Sequence, residues 1–356
     1  MNHPNIPSRK TLGSWVTAFL VLQFILGGVF PTFVRAQKKD SQFSLKVPVE
    51  LVIVPVTVED KDGNLIGGLS KEDFELFVEE IPQEIIYFSS DPVPLSVAVL
   101  IDKSMDSMAL SSIKNTLISL VESFSPFDEI ALLQFENTTE KVQDFTSDKE
   151  EVLRAFKKLS FAGASNTGFG GGPFSGSGGE LSGETTINGV VIDTAKGKAP
   201  PPKTLNTHIH DAIFNAATEL RRRKKDRRGV IVIISNGQNA PGNRVSFDDA
   251  MEVVIHSEIQ VYGIGQGSSL FYRKLNTLRK YANASGGSVF FPVKSESLAE
   301  AYQKIAQTAR NKYVLGFTPR ESVKEPTFRK LSVRIRNKEA KADNLRFRKG
   351  FYVIPK

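Results

Sequence analysis

The sequence predicts an α/β fold: a doubly wound, mostly parallel sheet with helices on both faces, plus a small antiparallel β domain built from the N- and C-terminal flanks. Continuous apolar runs alternate with helical patterns through the middle of the chain, which is typical of a parallel sheet covered on both faces. In the flanks, apolar and polar residues alternate with a period of two, which is typical of half-exposed antiparallel strands. At 356 residues and 40% hydrophobic, the chain is long enough for both parts.

The first 36 residues have the pattern of a secretory signal peptide. Arg9 and Lys10 precede the apolar run "WVTAFLVLQFILGGVF", and small or aliphatic residues follow at Val34 and Ala36. We expect cleavage after Ala36 and a secreted, periplasmic or cell-envelope location. The alternative is an uncleaved single-span anchor, for which the apolar run is slightly short.

The flanks supply the predicted β domain. Residues 43–59 and the following "DKDGNLIGGL" suggest two strands joined at the turn-forming Asp62-Gly63 pair, and residues 74–88 suggest two more short strands. Near the other end, "RKLSVRIRN" and "LRFRKGFYV" alternate in the same way. Because neither flank alone has enough strands for a stable core, we expect them to meet. The predicted divisions are 43–92 and 313–356 for the β domain and 93–312 for the inserted α/β domain.

The middle of the chain alternates predicted strands and helices. The run "SVAVLID" predicts a buried strand, and "SDKEEVLRAFKKL" predicts a helix with Ser147 as its N-cap. The predicted strands are 96–102, 129–135, 140–145 (a short edge strand), 229–235, 259–267 and 288–293, and the predicted helices are 111–124, 147–159, 207–225, 246–257, 270–287 and 295–311.

A glycine- and serine-rich insertion at 163–205 interrupts this series. It lacks hydrophobic periodicity between 163 and 189, so we expect a flexible loop. Its "GFGGGPFSGSGG" neither follows an apolar strand directly nor contains G-x-x-x-x-G-K-[ST], which argues against a nucleotide-binding loop.

Composition excludes several function classes. The chain has no cysteine, so disulfides, thiolate metal sites and a cysteine nucleophile are excluded. Loss of the signal peptide removes three basic residues and no acidic one, which lowers the net charge from +7 to +4 and does not favour nucleic-acid binding. The basic run "RRRKKDRR" at 221–228 follows a predicted helix, so we interpret it as a solvent-facing cationic helix terminus. Contact with anionic lipid or glycan is the alternative.

Polar side chains follow the ends of the predicted parallel strands. Asp102, Ser104 and Asp106 follow one strand at alternate positions, Asn236 follows another, and Thr207 begins the helix before that second strand. Ligands of parallel α/β sheets bind at the carboxyl ends of the strands. A hard divalent cation needs about six oxygen ligands, about 2.1 Å away for magnesium. The sequence therefore predicts a metal site at this rim.

These segments resemble a von Willebrand factor type A domain, and more closely the bacterial secreted group of such proteins with β flanks. The resemblance rests on "LIDKSMDSM", "NTHIHDAI", "IISNGQN", "YGIG", "GGSVFFP" and "NKYVLGFTP", and it extends to "LSKEDFELFVEE" and "FRKGFYV" in the flanks. It implies a metal-ion-dependent adhesion site of the pattern D-x-S-x-S with a distant Thr and a distant Asp. By that pattern Asp102, Ser104 and Thr207 occupy ligand positions unchanged.

Two positions depart from the family pattern. Asp106 stands where the family has Ser, and Asn236 stands where it has Asp. The formal charge of the set stays at −2, but a direct Asp106 carboxylate would partly neutralise the metal and weaken its attraction for an acidic partner. The metal implied is Mg²⁺, with Mn²⁺ or Ca²⁺ as alternatives. The other interpretation is a decayed site in which these residues only cap turns.

Two functions from different classes follow. The first is an exported binding module that binds a protein or a glycan through the metal site at the carboxyl edge of the sheet. The second is a metal-independent structural component of a cell-envelope assembly. We expect no enzyme, because G-x-S-x-G is absent and the haloacid dehalogenase pattern would need an acid where Ser104 stands. We also expect no nucleic-acid partner and no membrane span after signal cleavage. The sequence does not set the oligomeric state.

Overall fold

The computed structural model describes residues 51–159, 184–187, 190–193, 207–224, 226–266, 276–292, 295–319, 323–337 and 342–355. The predicted signal peptide and most of the predicted insertion at 163–205 lie outside these residues. All described residues fall in one unit, Val49–Lys356. The predicted boundaries between the α/β and β domains therefore stay predictions.

The described strands and helices alternate in the middle of the chain and cluster as strands at its two ends. The strands are β1 (Val52–Glu59), β2 (Phe74–Val78), β3 (Ile81–Gln83), β4 (Tyr87–Ser89), β5 (Leu95–Asp102), β6 (Glu129–Phe135), β7 (Thr139–Thr146), β8 (Glu184–Ile187), β9 (Val190–Asp193), β10 (Arg228–Ser235), β11 (Gln260–Gly265), β12 (Val289–Phe290), β13 (Tyr313–Phe317), β14 (Thr327–Ile335), β15 (Asn344–Arg346) and β16 (Gly350–Val353). The α-helices are α1 (Ser107–Glu122), α2 (Lys149–Lys157), α3 (Ile209–Arg221), α4 (Phe247–His256), α5 (Asn276–Ser285) and α6 (Ser295–Arg310).

The central sheet has the order β12-β11-β10-β5-β6-β7. All neighbours pair in parallel except β6 and β7, which are antiparallel. Helices α1, α2 and α6 pack on one face, and α3, α4 and α5 pack on the other. The doubly wound sheet is therefore confirmed. Strands β5 and β10 are buried on both faces, as their continuous apolar runs predict.

The flanks build two four-stranded antiparallel sheets, β15-β1-β13-β4 and β16-β14-β2-β3. Each sheet combines strands from both ends of the chain, which confirms that the flanks meet. Val54 and Val56 of β1, Leu76 of β2, Leu315 of β13 and Val333 of β14 are among the side chains of their shared core. The predicted β domain is thus a small sandwich of two sheets.

Three local predictions in and around the flanks and helices were wrong. Helix α2 is capped by Asp148, not Ser147, because the Asp148 carboxylate accepts from the backbone N–H groups of Glu150 and Glu151 at 2.9 and 3.2 Å. The second strand expected after Asp62-Gly63 is only a single bridge between Glu59 and Leu65. Residues 74–88 form three short strands instead of two.

The predicted loop insertion contains a described hairpin. Strands β8 and β9 pair antiparallel, with Ile187 opposite Val190. The sequence between them is Asn188-Gly189, a strong hairpin signal flanked by β-branched residues. This pair is the signal that the interpretation as a structureless loop overlooked.

The interpretation of the basic run at 221–228 as a solvent-facing cationic helix terminus is confirmed only in part: α3 ends at Arg221, and Arg221, Arg222 and Lys224 are exposed, but the other arginines are not. Arg223 forms a salt bridge to Glu129 at 2.7 Å, and Arg227 donates to the carbonyl oxygens of Leu95 and Phe127 at 2.8 and 2.5 Å. Arg228 is buried and donates to the Ala309 carbonyl at the end of α6 at 2.5 Å. The reason is that β10 begins within the run, so these cations meet carboxylates and carbonyls at the amino end of the sheet.

Of the helices that the structure describes, none combines the length and the apolar character needed to cross a membrane.

Candidate metal centre

The candidate site lies at the carboxyl edge of the central sheet. Strand β5 ends at Asp102, and its parallel neighbour β10 ends at Ser235, so the two ends lie side by side. Helix α3 begins two residues after Thr207. The three polar segments predicted to converge therefore do so at one edge, as expected for ligand sites of parallel sheets.

Asp102 is the centre of the arrangement. Its side chain has no exposed surface. One carboxylate oxygen accepts from the Ser104 backbone N–H at 2.8 Å and from the Ser104 hydroxyl at 2.6 Å, and the other accepts from the Ser235 hydroxyl at 2.6 Å. Burial raises the pKa of Asp102 above its ordinary value, although these hydrogen bonds oppose the rise. The nearby charge of Glu136 raises this pKa further.

Thr207 joins the same network. Its hydroxyl donates to the Ser104 hydroxyl at 2.6 Å, so a continuous chain runs from Thr207 through Ser104 to Asp102. The Thr207 side chain is fully buried. Three of the five predicted site residues are therefore directly connected although they lie up to 105 positions apart in the sequence.

The loop after β10 fixes the position of Thr207. The Ala240 N–H donates to the Thr207 carbonyl at 2.7 Å. The Asn239 side-chain oxygen accepts from the Ile209 N–H at 2.8 Å, and that of Asn243 accepts from the His210 N–H at 3.0 Å, so both side chains satisfy donors in the first turn of α3. Sequence reasoning missed these asparagines; an Asn-rich segment just after a strand end is the signal that was available.

Asp106 is exposed and serves as the N-cap of α1. One carboxylate oxygen accepts from the Ala109 N–H at 2.8 Å. Within the described residues no hydrogen bond connects this carboxylate to the other predicted ligands. Its role as a metal ligand stays a prediction.

Asn236 uses its side-chain oxygen in a local turn, accepting from the Gln238 N–H at 2.9 Å. The β10 residue that contacts Asp102 is its neighbour Ser235, which also accepts from the Gly237 N–H at 3.0 Å. Ser235 was missed because it closes an apolar run and was counted with the strand. Asn236 as a ligand stays a prediction.

The two histidines beside the rim have separate partners. His208 Nδ1 lies 3.2 Å from the Asn137 carbonyl oxygen, and His210 Nδ1 lies 2.9 Å from the Tyr281 hydroxyl. Among the described residues, no group of three or more His, Cys, Asp or Glu side chains is placed to hold a metal. Any metal at this rim would thus depend on hydroxyl and amide oxygens in addition to carboxylates. That all-oxygen donor set suits a hard cation such as Mg²⁺, Mn²⁺ or Ca²⁺.

Comparison with known proteins gives structural likeness only. No protein-family model matches the chain, and no curated relative matches it. An aerotolerance-related membrane protein from Bacteroides fragilis is 17% identical, covers 60% of this chain and 98% of its own, and has a TM-score of 0.41. Proximal thread matrix protein 1 from the mussel byssus, with a zinc-occupied MIDAS motif, is 12% identical over 62% of this chain and 49% of its own, with a TM-score of 0.40. Manganese-loaded TRAP protein from Plasmodium vivax is 10% identical over 73% of this chain and 96% of its own, with a TM-score of 0.40.

The assignment of the fold rests on this chain's own architecture. Among the described residues, the central sheet has five parallel strands and one antiparallel edge strand, with three helices on each face. The segments containing Asp102, Thr207 and Ser235 meet at its carboxyl edge. The α/β part of this chain has the fold of a von Willebrand factor type A domain, and the flanks add a β-sandwich to it.

Proposed function

We propose that this protein is an exported binding module that holds a divalent metal at the rim around Asp102 and grips a protein or a glycan there. The observation that supports it is the hydrogen-bonded chain of oxygens from Thr207 through Ser104 to the buried Asp102. A buried carboxylate beside two hydroxyls is suited to a cation, because a bound positive charge compensates for its lost hydration.

In this proposal each residue has a stated part. Asp102, Ser104 and Thr207 would hold the metal directly or through water, and Asp106 and Asn236 would complete the set from the rim. When bound, the metal supplies a positive charge that attracts an oxygen of the partner. The exposed Asp106 lowers that attraction, so we expect neutral glycan hydroxyls or amide oxygens to compete well with carboxylates as the partner's contact.

Isothermal titration of Mg²⁺, Mn²⁺ and Ca²⁺ into the mature protein tests metal binding. Thr207→Val keeps the shape of the side chain and removes the hydroxyl, so we expect about tenfold weaker binding. The matched control is Thr116→Val, since Thr116 is buried in α1 away from the rim and bonds the Ser112 carbonyl. No heat at millimolar metal in the wild-type protein would overturn the proposal.

A metal-independent structural component of a cell-envelope assembly is the second candidate. It is favoured by the three hydrogen bonds that satisfy the Asp102 carboxylate without a metal. Capture of partners from an envelope extract, with and without EDTA, separates the two. Partners lost with EDTA support the metal module, and partners retained in full support the structural component.

We also propose that the protein is not an enzyme. The hydroxyl of Ser104 donates to Asp102, but no described histidine bonds to it, so the usual base of a serine nucleophile is missing from the described residues. Turnover of a phosphate or carboxylate ester that Ser104→Ala abolishes would contradict this.

A further inference from the structure

A cleft of about 710 Å³ lies at the end of the central sheet opposite the candidate metal centre. One side is the outer face of the sandwich sheet that contains β1, β13 and β4. The other side is formed where α3 ends and where β5 and β10 begin. A volume of this size is within the range of about 300–1,000 Å³ that is usual for ligand sites, and such sites favour the junction between two packed parts of a protein.

The sandwich side of the cleft is an apolar floor. Side chains alternate from Leu51 into β1, so Val52 and Val54 pack in the sandwich core while Leu51 and Ile53 line the cleft. Tyr87 of β4 joins them across Gly316. A Cβ atom at Gly316 would lie 2.8 Å from the Tyr87 Cβ and 3.2 Å from Leu51 Cδ1, so the glycine lets these side chains close over the strand. Leu51 and Tyr87 are nevertheless 40% and 45% exposed, which leaves apolar surface without cover.

The opposite wall is cationic. Arg221 and Lys224 are exposed and line the cleft, and no described acidic side chain lies within ion-pair distance of either. Arg223 and Arg227 share a single acid, Glu129. Glu258 also lines the cleft, but its charge is compensated by its ion pair with Arg348. Of the remaining described charges, five are basic and three are acidic, where Glu129 is counted because it pairs with Arg223. The basic residues are Arg221, Arg223, Lys224, Arg227 and Arg228, and the acidic residues are Asp91, Asp226 and Glu129.

A hydroxyl donor also lines the cleft. Ser257, at the C-terminal end of α4, has a hydroxyl that is buried from solvent and finds no hydrogen-bond partner among the described residues. Buried hydroxyl groups in folded proteins are nearly always paired, and an acceptor on a ligand in the cleft would pair this one.

We propose that this cleft binds an amphipathic organic anion, with an acyl chain along Leu51, Ile53 and Tyr87 and a phosphate or carboxylate head between Arg221 and Lys224. The floor buries the chain by the hydrophobic effect, and the wall supplies charge-assisted hydrogen bonds to the head. The site is independent of the metal rim, because it lies at the other end of the parallel strands.

Calorimetric titration of dodecyl phosphate, below the concentration at which it forms micelles, into the mature protein in EDTA tests the proposal. We expect saturable binding that weakens at least about twofold for each methylene removed from the chain. Inorganic phosphate and dodecyltrimethylammonium should bind at least about tenfold more weakly, since one lacks the chain and the other has the wrong charge. Equal affinity for the cationic amphiphile would overturn the proposal, and so would no binding of dodecyl phosphate.

Charge-reversal variants locate the site. Arg221→Glu with Lys224→Glu changes two exposed side chains and should weaken dodecyl phosphate at least about tenfold. The matched control, Lys157→Glu with Lys158→Glu, makes the same charge change at the exposed end of α2, outside the cleft lining. An affinity that falls equally in both variants, or in neither, would show that the amphiphile does not bind in this cleft.

The source of the anion is distinguished by a second titration with phosphatidylglycerol vesicles. If the wild-type protein binds the vesicles and the Arg221→Glu, Lys224→Glu variant does not, the anionic head group that the cleft binds belongs to a membrane lipid. If the protein binds dodecyl phosphate but not the vesicles, the ligand of the cleft is a free amphiphile. Both results support the cleft as an anion site, and vesicle binding that the variant retains contradicts it for lipids.

Discussion

Asp102 is the residue on which the candidate metal centre depends. A carboxylate with no exposed surface loses its hydration, and three hydrogen bonds from Ser104 and Ser235 replace part of it. Burial raises the pKa of Asp102 and these hydrogen bonds lower it, and the effect of burial is the larger one. A bound cation would offset the remaining cost of the buried charge, so we expect this side chain to favour metal binding and to limit the stability of the metal-free protein.

Asp102→Asn separates these two effects. Asparagine keeps the size of the side chain, and its oxygen can still accept from Ser104, but the buried charge is gone. In EDTA we expect the melting temperature to remain within roughly 2–4 °C of the wild type or to rise, and the stabilisation by Mg²⁺ or Mn²⁺ to disappear. Thermal unfolding monitored by circular dichroism measures both. A retained metal-induced shift would show that Asp102 is not a ligand.

At the scale of elements, the loop that follows β10 connects the sheet edge to α3. Asn239 and Asn243 accept from backbone donors in the first turn of α3, and the Asn243 amide donates to the Ala240 carbonyl at 2.8 Å. Because Ala240 in turn bonds Thr207, the helix start and the metal rim are held by the same loop. We therefore expect that loss of these asparagine hydrogen bonds also alters the position of Thr207 at the candidate metal centre.

Asn239→Ala tests this coupling. We expect a loss of about 1 kcal/mol in the free energy of unfolding, since a donor of the first turn loses its side-chain acceptor, together with weaker metal binding. The control is Asp148→Ala, which removes the N-cap of α2 and should cost a similar amount without changing metal affinity. Stability is measured by urea unfolding and affinity by calorimetry. Equal loss of metal affinity in both variants would mean that general destabilisation explains the effect.

The elements that could be predicted are those with a strong local pattern. The runs that became β5, β6 and β10 were predicted within one residue at each end, because strands covered on both faces are continuously apolar. The N-cap of α2 was assigned one residue early, since Ser147 and Asp148 are both good caps and only the backbone geometry chooses between them. Ser235 was missed because its hydroxyl donates to Asp102 on the neighbouring strand β5, 133 positions away in the sequence.

At the scale of the whole molecule, period-two alternation predicted that the flanks form sheets but not how those sheets join the α/β part. Charged residues from distant segments contribute to that junction. Arg346 of β15 pairs with the buried Glu59 of β1 at 2.7 Å and also donates to the Ser288 hydroxyl of the α/β part. Lys312 is buried before β13, with its ammonium 2.6 Å from the Thr57 hydroxyl of β1 and 6.0 Å from the centre of the Tyr262 ring of β11. Lone charges in a sequence are usually exposed, so no local signal identifies the few that are buried.

Lys312 gives this junction a pH dependence. Burial lowers its pKa well below the usual value, the charges of Arg228 and Arg346 lower it further, and Glu59 opposes them. The ordinary pKa of lysine is 10.5, so there is a pH range, ending near that value, in which the unfolded chain binds a proton at Lys312 and the folded protein does not. Over that range the contribution of Lys312 to stability increases with pH, and at pH values below the folded pKa its burial is most destabilising.

Lys312→Met removes that contribution while keeping the apolar stem. We expect the variant to gain most over the wild type at the low end of this range and the difference to shrink towards pH 10.5, measured by urea unfolding at pH 7, 8, 9 and 10. Lys304→Met is the control, because Lys304 lies on the neighbouring helix α6, is half-buried and bonds the Gly63 carbonyl. A stability difference for Lys312→Met that is constant across these pH values, or that grows with pH, would show that Lys312 is charged in the folded protein throughout. The junction between sandwich and sheet would then be held by a compensated ion cluster instead of a neutral buried amine.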